Sequence, residues 1–209
     1  ETIPLPDALH QYFGFQEFRP LQQEAIEAAL GGNDVLVVMP TGAGKSLCFQ
    51  LPAALSDGLT LVVSPLVALM RDQVEALRAL PEFSKIGVAS ISSLQDSAEQ
   101  SIVLDELATG QIRLLYVSPE RFRSGAFRNI LSQISLARFV VDEAHCISEW
   151  GHDFRPDYLQ LSSIVESLGK PPLIAVTATA TERVRESIVR NLGMRQPQTF
   201  IGGFNRPNL

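Results

Sequence analysis

Val35-Leu36-Val37-Val38-Met39-Pro40-Thr41-Gly42-Ala43-Gly44-Lys45-Ser46 is the stretch that decides the fold. A run of branched apolar residues gives way, across a proline and two glycines, to Lys-Ser and then to a second apolar segment from Leu47. A strand that is apolar on both sides belongs inside a sheet covered on both faces. Glycines at its end let backbone N–H groups approach an anion closely, and a helix opening near Lys45 adds free N–H groups and a positive dipole end. The spacing therefore predicts strand, phosphate-binding loop and helix. Lys45 would reach the β and γ phosphates of a nucleotide, and the Ser46 hydroxyl would ligate Mg²⁺. The strict loop pattern asks for glycine where Met39 stands.

Working outward, similar apolar runs recur at Leu59–Val63, Ile86–Ala89, Ile112–Val117, Arg138–Val141, Leu173–Val176 and Gln198–Ile201. Between them lie stretches of helical period: Pro20 to Leu30, closed by Gly31-Gly32, and a face marked by Leu66, Leu69, Met70, Val74 and Leu77. Strands alternating with helices predict right-handed βαβ units and a mostly parallel, doubly wound sheet with helices on both faces. The polar clusters PTGAGKS, SPL, SPER, DEAH and TATAT each follow a predicted strand directly. In open α/β sheets, ligands bind outside the carboxyl ends of the strands, so these five clusters should line one active edge.

A nucleotide site needs a second element to hold the metal and activate water. Asp142-Glu143, at the end of the run Arg138–Val141, fits that need. The Asp can hold Mg²⁺ directly or through water, and the Glu can orient and deprotonate an attacking water. Binding and hydrolysis of ATP or a relative is the reading these two elements support.

DEAH with TGAGKS upstream and TATAT downstream resembles the first motor domain of superfamily 2 helicases. Phe15–Gln22 (FQEFRPLQ), Val62–Val74 (VVSPLVALMRDQV), Leu114–Phe122 (LLYVSPERF), Asp142–Tyr158 (DEAHCISEWGHDFRPDY) and Phe204–Leu209 (FNRPNL) narrow the resemblance to RecQ-type ATP-dependent DNA helicases, over nearly the whole chain. The resemblance implies a three-layer RecA-like domain over residues 1–203, with 204–209 opening the junction to a second RecA-like domain absent from the chain. It implies ATP and Mg²⁺ as cofactors, with Ser46 and Asp142 on the metal and Lys45, Asp142, Glu143 and His145 in the catalytic set. Thr41, Gly42, Ala43, Gly44, Lys45 and Ser46 would cradle the phosphates. Phe15 would stack on the base, Arg19 would help hold the nucleotide, and Gln22 would hydrogen-bond adenine, whose amine and ring nitrogen match an amide. Family members often carry Tyr where Phe15 stands and Gly where Ala43 stands. Both Phe15 and Phe18 could instead be ordinary core residues.

Contacts to DNA have their own candidates. Ser64-Pro65 and Ser118-Pro119 read as helix starts, the hydroxyl capping and the proline taking the first turn. Their N–H groups could hold backbone phosphates without reading sequence, with Arg71 and Arg121 nearby and Ser92-Ser93 as a further pair. The resemblance identifies the segment around Trp150, His152, Phe154 and Arg155 as an aromatic-rich loop that couples single-stranded DNA to the Asp142-Glu143 site, with Thr177 and Thr179 relaying nucleotide state. Aromatics beside arginine suit stacking on unpaired bases, although burial of Trp150 and Phe154 is the competing reading. His145, Cys146, His152 and Asp153 could be read as a metal cluster, but their spacing suits neither a zinc finger nor a catalytic zinc helix.

Composition bounds the rest. The chain has 209 residues, 45% hydrophobic and 19% charged, enough for one large domain. Its net charge of −6 excludes bulk attraction to nucleic acid, so contacts must be local or come from a partner domain. Two cysteines, Cys48 and Cys146, cannot make a disulfide scaffold. The absence of a run of about 18 apolar residues and the start ETIPLPDALHQ argue against a membrane span and a signal peptide. The expected place is the cytoplasm (the bacterial nucleoid) or a nucleus. The function expected is the ATP-hydrolysing lobe of a 3′–5′ DNA helicase of repair and recombination, binding nucleotide but not unwinding on its own. A different superfamily 2 translocase and a non-unwinding ATP-binding switch remain the alternatives.

Overall fold

Every apolar run picked out above becomes a strand, and all of them join one sheet. The computed structural model describes residues 2–40 and 44–202. Its elements in chain order are α1 (Leu5–Phe13), α2 (Gln22–Leu30), β1 (Val35–Val38), α3 (Leu47–Leu55), β2 (Leu59–Val63), α4 (Val67–Arg78), α5 (Pro81–Ser84), β3 (Val88–Ile91), α6 (Ser97–Ala108), β4 (Leu114–Val117), α7 (Gly125–Ser132), β5 (Leu136–Val141), α8 (Leu161–Ser167), β6 (Leu173–Thr177), α9 (Glu182–Leu192) and β7 (Gln198–Ile201). The strand order is β3-β4-β2-β5-β6-β1-β7, and every pairing is parallel. Residues 204–209, the expected junction, lie outside the described residues.

The period-2 alternation of each strand splits the core in two. Leu36, Val38, Leu61, Val63, Leu115 and Val117 face a layer built from α6 to α9. Val35, Val37, Val62, Leu114, Tyr116 and Val140 face the opposite layer, built from α2 to α5. Helix α1 joins that second layer at its margin, packing Ala8 and Leu9 on Ile26 and Leu51. Three layers result, as the strand pattern predicts.

Several boundaries depart from the sequence reading for local reasons. Strand β3 starts at Val88, not Ile86, because Gly87 sits at φ +80 and interrupts the extended chain. Helix α2 starts at Gln22, after Leu21 in the left-handed region at φ +70, so Pro20 lies before the helix. Helix α4 starts at Val67, leaving Pro65 outside it, and Ser64 Oγ accepts only a long bond from Leu66 N at 3.4 Å. On α4 the buried residues are Met70, Val74 and Leu77, while Leu69 is 51% exposed.

Candidate active site

Register places the polar clusters together. Val38 pairs with Thr177, Val63 with both Val117 and Val141, and Ile91 with Val117. Backbone bonds just past the strands continue the alignment: Met39 N donates to Thr177 O, Ser64 N to Val117 O and Asp142 N to Val63 O. Read across the sheet, the carboxyl edge presents Ser92, Ser118, Ser64, Asp142, Thr177 and the loop after Met39 in that order. The nucleotide elements occupy one half of this edge and the Ser-Pro elements the other.

A cleft of about 960 Å³ opens over the nucleotide half. Phe15, Arg19, Gln22, Gly44, Lys45, Ser46, Asp142 and Glu143 all line it, so eight of the predicted site residues share one space. Thr41, Gly42 and Ala43 lie outside the described residues. Gly44 has φ +77, and a Cβ there would collide with the Gln22 amide. Gln22 is 3% exposed: its Oε1 accepts from Arg19 N at 2.8 Å and its Nε2 donates to Gly44 O at 2.9 Å. The amide thus ties the segment before α2 to the phosphate loop. Phe15 is 54% exposed and stacks on Phe13, so it is a surface ring at the cleft mouth and not core. Phe18 packs at the margin of the α1 cluster. Ser46 lines the cleft with its hydroxyl free of hydrogen bonds to the described residues.

The sequence reading missed the floor of this cleft. Tyr116 Oη donates to Gln73 Oε1 at 2.7 Å, and Gln50 Nε2 donates to Tyr116 Oη at 3.0 Å and to Gln73 Oε1 at 3.3 Å. Burial pushes the Tyr116 phenol well above its ordinary value, so it stays a neutral donor. The only sequence signal was a polar residue, Gln50, inside the otherwise apolar α3.

Asp142 and Glu143 sit at the exit of β5. The Asp142 carboxylate accepts Glu143 N at 2.9 Å, and Tyr158 Oη donates to Asp142 O at 2.9 Å. Burial first, and the Glu143 charge second, push the Asp142 carboxyl up to about 6, against the pull of the Glu143 N–H and of Lys45. Glu143 adopts φ +51, a left-handed conformation rare for a non-glycine residue, and so turns into the 3-10 helix Ala144–Ile147. His145 is buried, with Nδ1 2.8 Å from Thr177 Oγ1 and 3.5 Å from Glu143 Oε2. Thr177 Oγ1 in turn donates to Thr179 O at 3.2 Å. Because the threonine proton is spent on Thr179, the His145 Nδ1 must carry the donor hydrogen. Burial lowers the His145 pKa, which keeps the ring neutral in this chain of bonds.

The predicted DNA contacts divide into three groups. Ser118 does not cap: its Oγ is buried without a partner, as is the Nε of Arg121, whose Nη1 donates to Gln100. Five residues of 3-10 helix, Pro119–Arg123, follow it in place of an α-helix. Ser92 Oγ accepts from Leu94 N, Ser93 Oγ donates to Glu120, and Arg71 lines a shallow groove between α4 and α6. Trp150 is 55% exposed, which sets aside burial in the core, and Phe154 is half-buried. Arg155 pairs with Asp153 at 3.2 Å, and the His152 ring stacks on His145 at 4.5 Å.

Folding does bring His145, Cys146 and Asp153 within 4.8 Å of one another, leaving His152 out. The Arg155 guanidinium already pairs with Asp153, and burial pushes the Cys146 thiol up to about 12. No helix among the described residues is long and apolar enough to cross a membrane.

This fold is shared with known proteins. The family model described as DEAD/DEAH box helicase matches residues 19–187. Two solved structures share the fold: a hypothetical ATP-dependent RNA helicase from Sulfolobus tokodaii (TM-score 0.71, 22% identity, 94% of this chain and 56% of that one) and the DUF1998 helicase MrfA bound to DNA (TM-score 0.74, 20% identity, 96% and 29%). The chain belongs to the DEAD/DEAH box helicase family, and its architecture is a three-layer RecA-like α/β domain.

Within that family its likeness in sequence is to RecQ. It is 46% identical over 97% of its length to the ATP-dependent DNA helicase RecQ of Pasteurella multocida. The corresponding figures are 47% over 96% for RecQ of Haemophilus influenzae and 42% over 98% for the probable ATP-dependent DNA helicase RecS of Bacillus subtilis. This is the similarity expected of a RecQ-type first RecA-like domain. The chain spans 32% to 40% of the length of these relatives.

Proposed function

We propose that the chain is the nucleotide-binding motor lobe of a RecQ-type 3′–5′ DNA helicase acting in repair and recombination. The observation that carries this reading is the single cleft in which Lys45 and Ser46 face Asp142 and Glu143, with the Ser-Pro clusters on the same sheet edge. ATP would lie with its phosphates over Gly44–Ser46 and its base against Phe15, with Gln22 and Arg19 at the ring edge. The donor set also suits magnesium, a hard cation that prefers oxygen: Ser46 offers an uncommitted hydroxyl, and Asp142 a carboxylate crowded by Glu143. Magnesium, when bound, would neutralise developing charge on the phosphates. Glu143, held out of the strand by its left-handed turn, would orient the attacking water and take its proton. His145, locked to Thr177, would report nucleotide state to Thr179 and to the loop that carries Trp150.

Residues 1–203 would form one lobe, with 204–209 leading to a second. Related phosphoryl-transfer enzymes gain about 10³–10⁵ in rate from an arginine supplied in this way. ATP turnover by the chain, with and without single-stranded DNA, tests the reading beside Lys45→Ala and Glu143→Gln. The expected result is Mg-ATP binding with slow turnover, binding lost in Lys45→Ala, and turnover lowered about 10²–10⁴-fold with binding kept in Glu143→Gln. Fast DNA-stimulated turnover would mean the catalytic set is complete in this lobe. Equal background rates in wild type and Glu143→Gln would favour a switch module.

A further inference from the structure

Trp150 and Arg183 meet across two elements that the chemistry above leaves apart. The guanidinium carbon of Arg183 stands 3.3 Å from the centre of the Trp150 ring, a close cation–π stack. Trp150 rides on the loop after the 3-10 helix Ala144–Ile147, and Arg183 is the second residue of α9. Neither side chain is buried, and Arg183 makes no ion pair or hydrogen bond with the described residues, so the ring face is its one partner.

The contact closes a ring of interactions. His145 bonds Thr177, Thr177 bonds Thr179, and four residues on Arg183 covers Trp150; two residues past Trp150, His152 stacks back on His145. A hollow of about 390 Å³ lies inside, lined by His145, Trp150, His152, Thr179, Thr181 and Val184. Asn191 Nδ2 donates to Ile147 O at 3.0 Å, so α9 is also pinned to the 3-10 helix further along. Gly151 leaves no slack, because a Cβ there would meet His145 O at 2.8 Å.

Arg183 is also in a poor place for a cation. It lies in the first turn of α9, where the helix dipole is positive, and Thr181 Oγ1 caps the turn by accepting from Val184 N at 3.2 Å. The aromatic face offsets that field.

We propose that Arg183 is a positioning residue: it latches Trp150 against α9 in the nucleic-acid-free lobe, and an unpaired base competes with it for the Trp150 face. This rests on the reading of the chain as a motor lobe for single-stranded DNA. Base and guanidinium are alternative π partners of one ring, so binding of the strand would open the ring of contacts that leads back to His145.

Trp150 is the sole tryptophan, so its fluorescence reads the latch without a label. Arg183→Ala and Arg183→Lys are compared with the wild-type chain, first alone and then with a short oligodeoxythymidylate. Arg183 is exposed and the Thr181 cap is retained, so neither variant threatens folding. Without DNA, acrylamide quenching of Trp150 should rise about twofold in Arg183→Ala, with partial rescue in Arg183→Lys; unchanged quenching would overturn the latch. With DNA, Arg183→Ala should bind about two- to tenfold tighter although it has lost a positive charge. Weaker binding, with a salt slope reduced by about 0.7, would make Arg183 a phosphate contact and overturn the competition. If the wild-type chain binds no oligonucleotide, the DNA reading fails and competition with it, while the quenching comparison still decides the latch.

Discussion

Asp142 carries a carboxylate where burial and a neighbouring carboxylate both oppose charge. Its folded pKa, about 6, lies above the unfolded 3.8, so the folded chain binds that proton more tightly than the unfolded one. The stability this contributes is fully present below 3.8 and is lost as pH rises through about 6. At pH 7 the residue therefore works against folding. Asp142→Asn keeps an oxygen for Glu143 N and removes the charge. With divalent metal chelated, it should stabilise the chain by about 1–3 kcal/mol at pH 7–8, a rise of roughly 2–10 °C in melting temperature. The gap should close as pH falls below 4, and thermal unfolding across pH 4–8 checks both halves. The same change should abolish turnover, the trade expected where a site is held in an unfavourable state for its chemistry.

At the scale of elements, Asp34 does for the opposite edge what the clusters do for the active one. It is 4% exposed, and its carboxylate accepts Leu173 N at 2.9 Å and Arg195 N at 2.6 Å, while its own carbonyl accepts Gln198 N at 2.9 Å. One residue thus sets the starts of β1, β6 and β7 level, and the carboxyl ends inherit that alignment. Asp34→Ala should cost about 2–4 kcal/mol in urea unfolding, since it strands a buried N–H as well as losing charged hydrogen bonds. Nothing in the sequence singled out Asp34, because an acid before a strand is common. The strands themselves were legible for a physical reason: buried on both faces, each reads as an unbroken apolar run. Leu69 was assigned to the apolar face by its spacing, yet the cleft beside α4 leaves its side chain open. Lys45, Ser46 and Asp142-Glu143 were legible as a site because each follows a strand end, while Phe15 was legible only through the family resemblance. The Gln50–Gln73–Tyr116 network and Arg183 were not, since lone polar residues on helices, and a tyrosine in an apolar strand, look ordinary until the fold sets them against a partner.

For the whole molecule, the net charge of −6 limits how DNA can be held. The edge sets neutral polar residues where cations could stand: Ser64, Ser92 and Ser118 lie along it, themselves buried, and the nearby Arg121 is already bonded to Gln100. Contacts of that kind release few counterions. The affinity of the chain for single-stranded DNA should therefore fall only gently with salt, with a log–log slope of about −1 to −3. Fluorescence anisotropy from low to moderate salt measures it. A steep slope would mean a basic track along this lobe that the charge distribution does not provide.

The strand order has one more consequence, in time. Strand β1, which leads into the phosphate loop, pairs on one side with β6 and on the other with β7, through Val35↔Ile174 and Val35↔Gln198. Both partners come from the last fifth of the 209 residues, so β1 leaves the ribosome long before anything exists to flank it. A fully apolar strand then waits with both edges unpaired while most of the chain is still to be made. Parallel, non-local pairing of this sort is slow and exposes sticky surface on the way. The segment that waits in this way during translation is the same one that leads to Lys45.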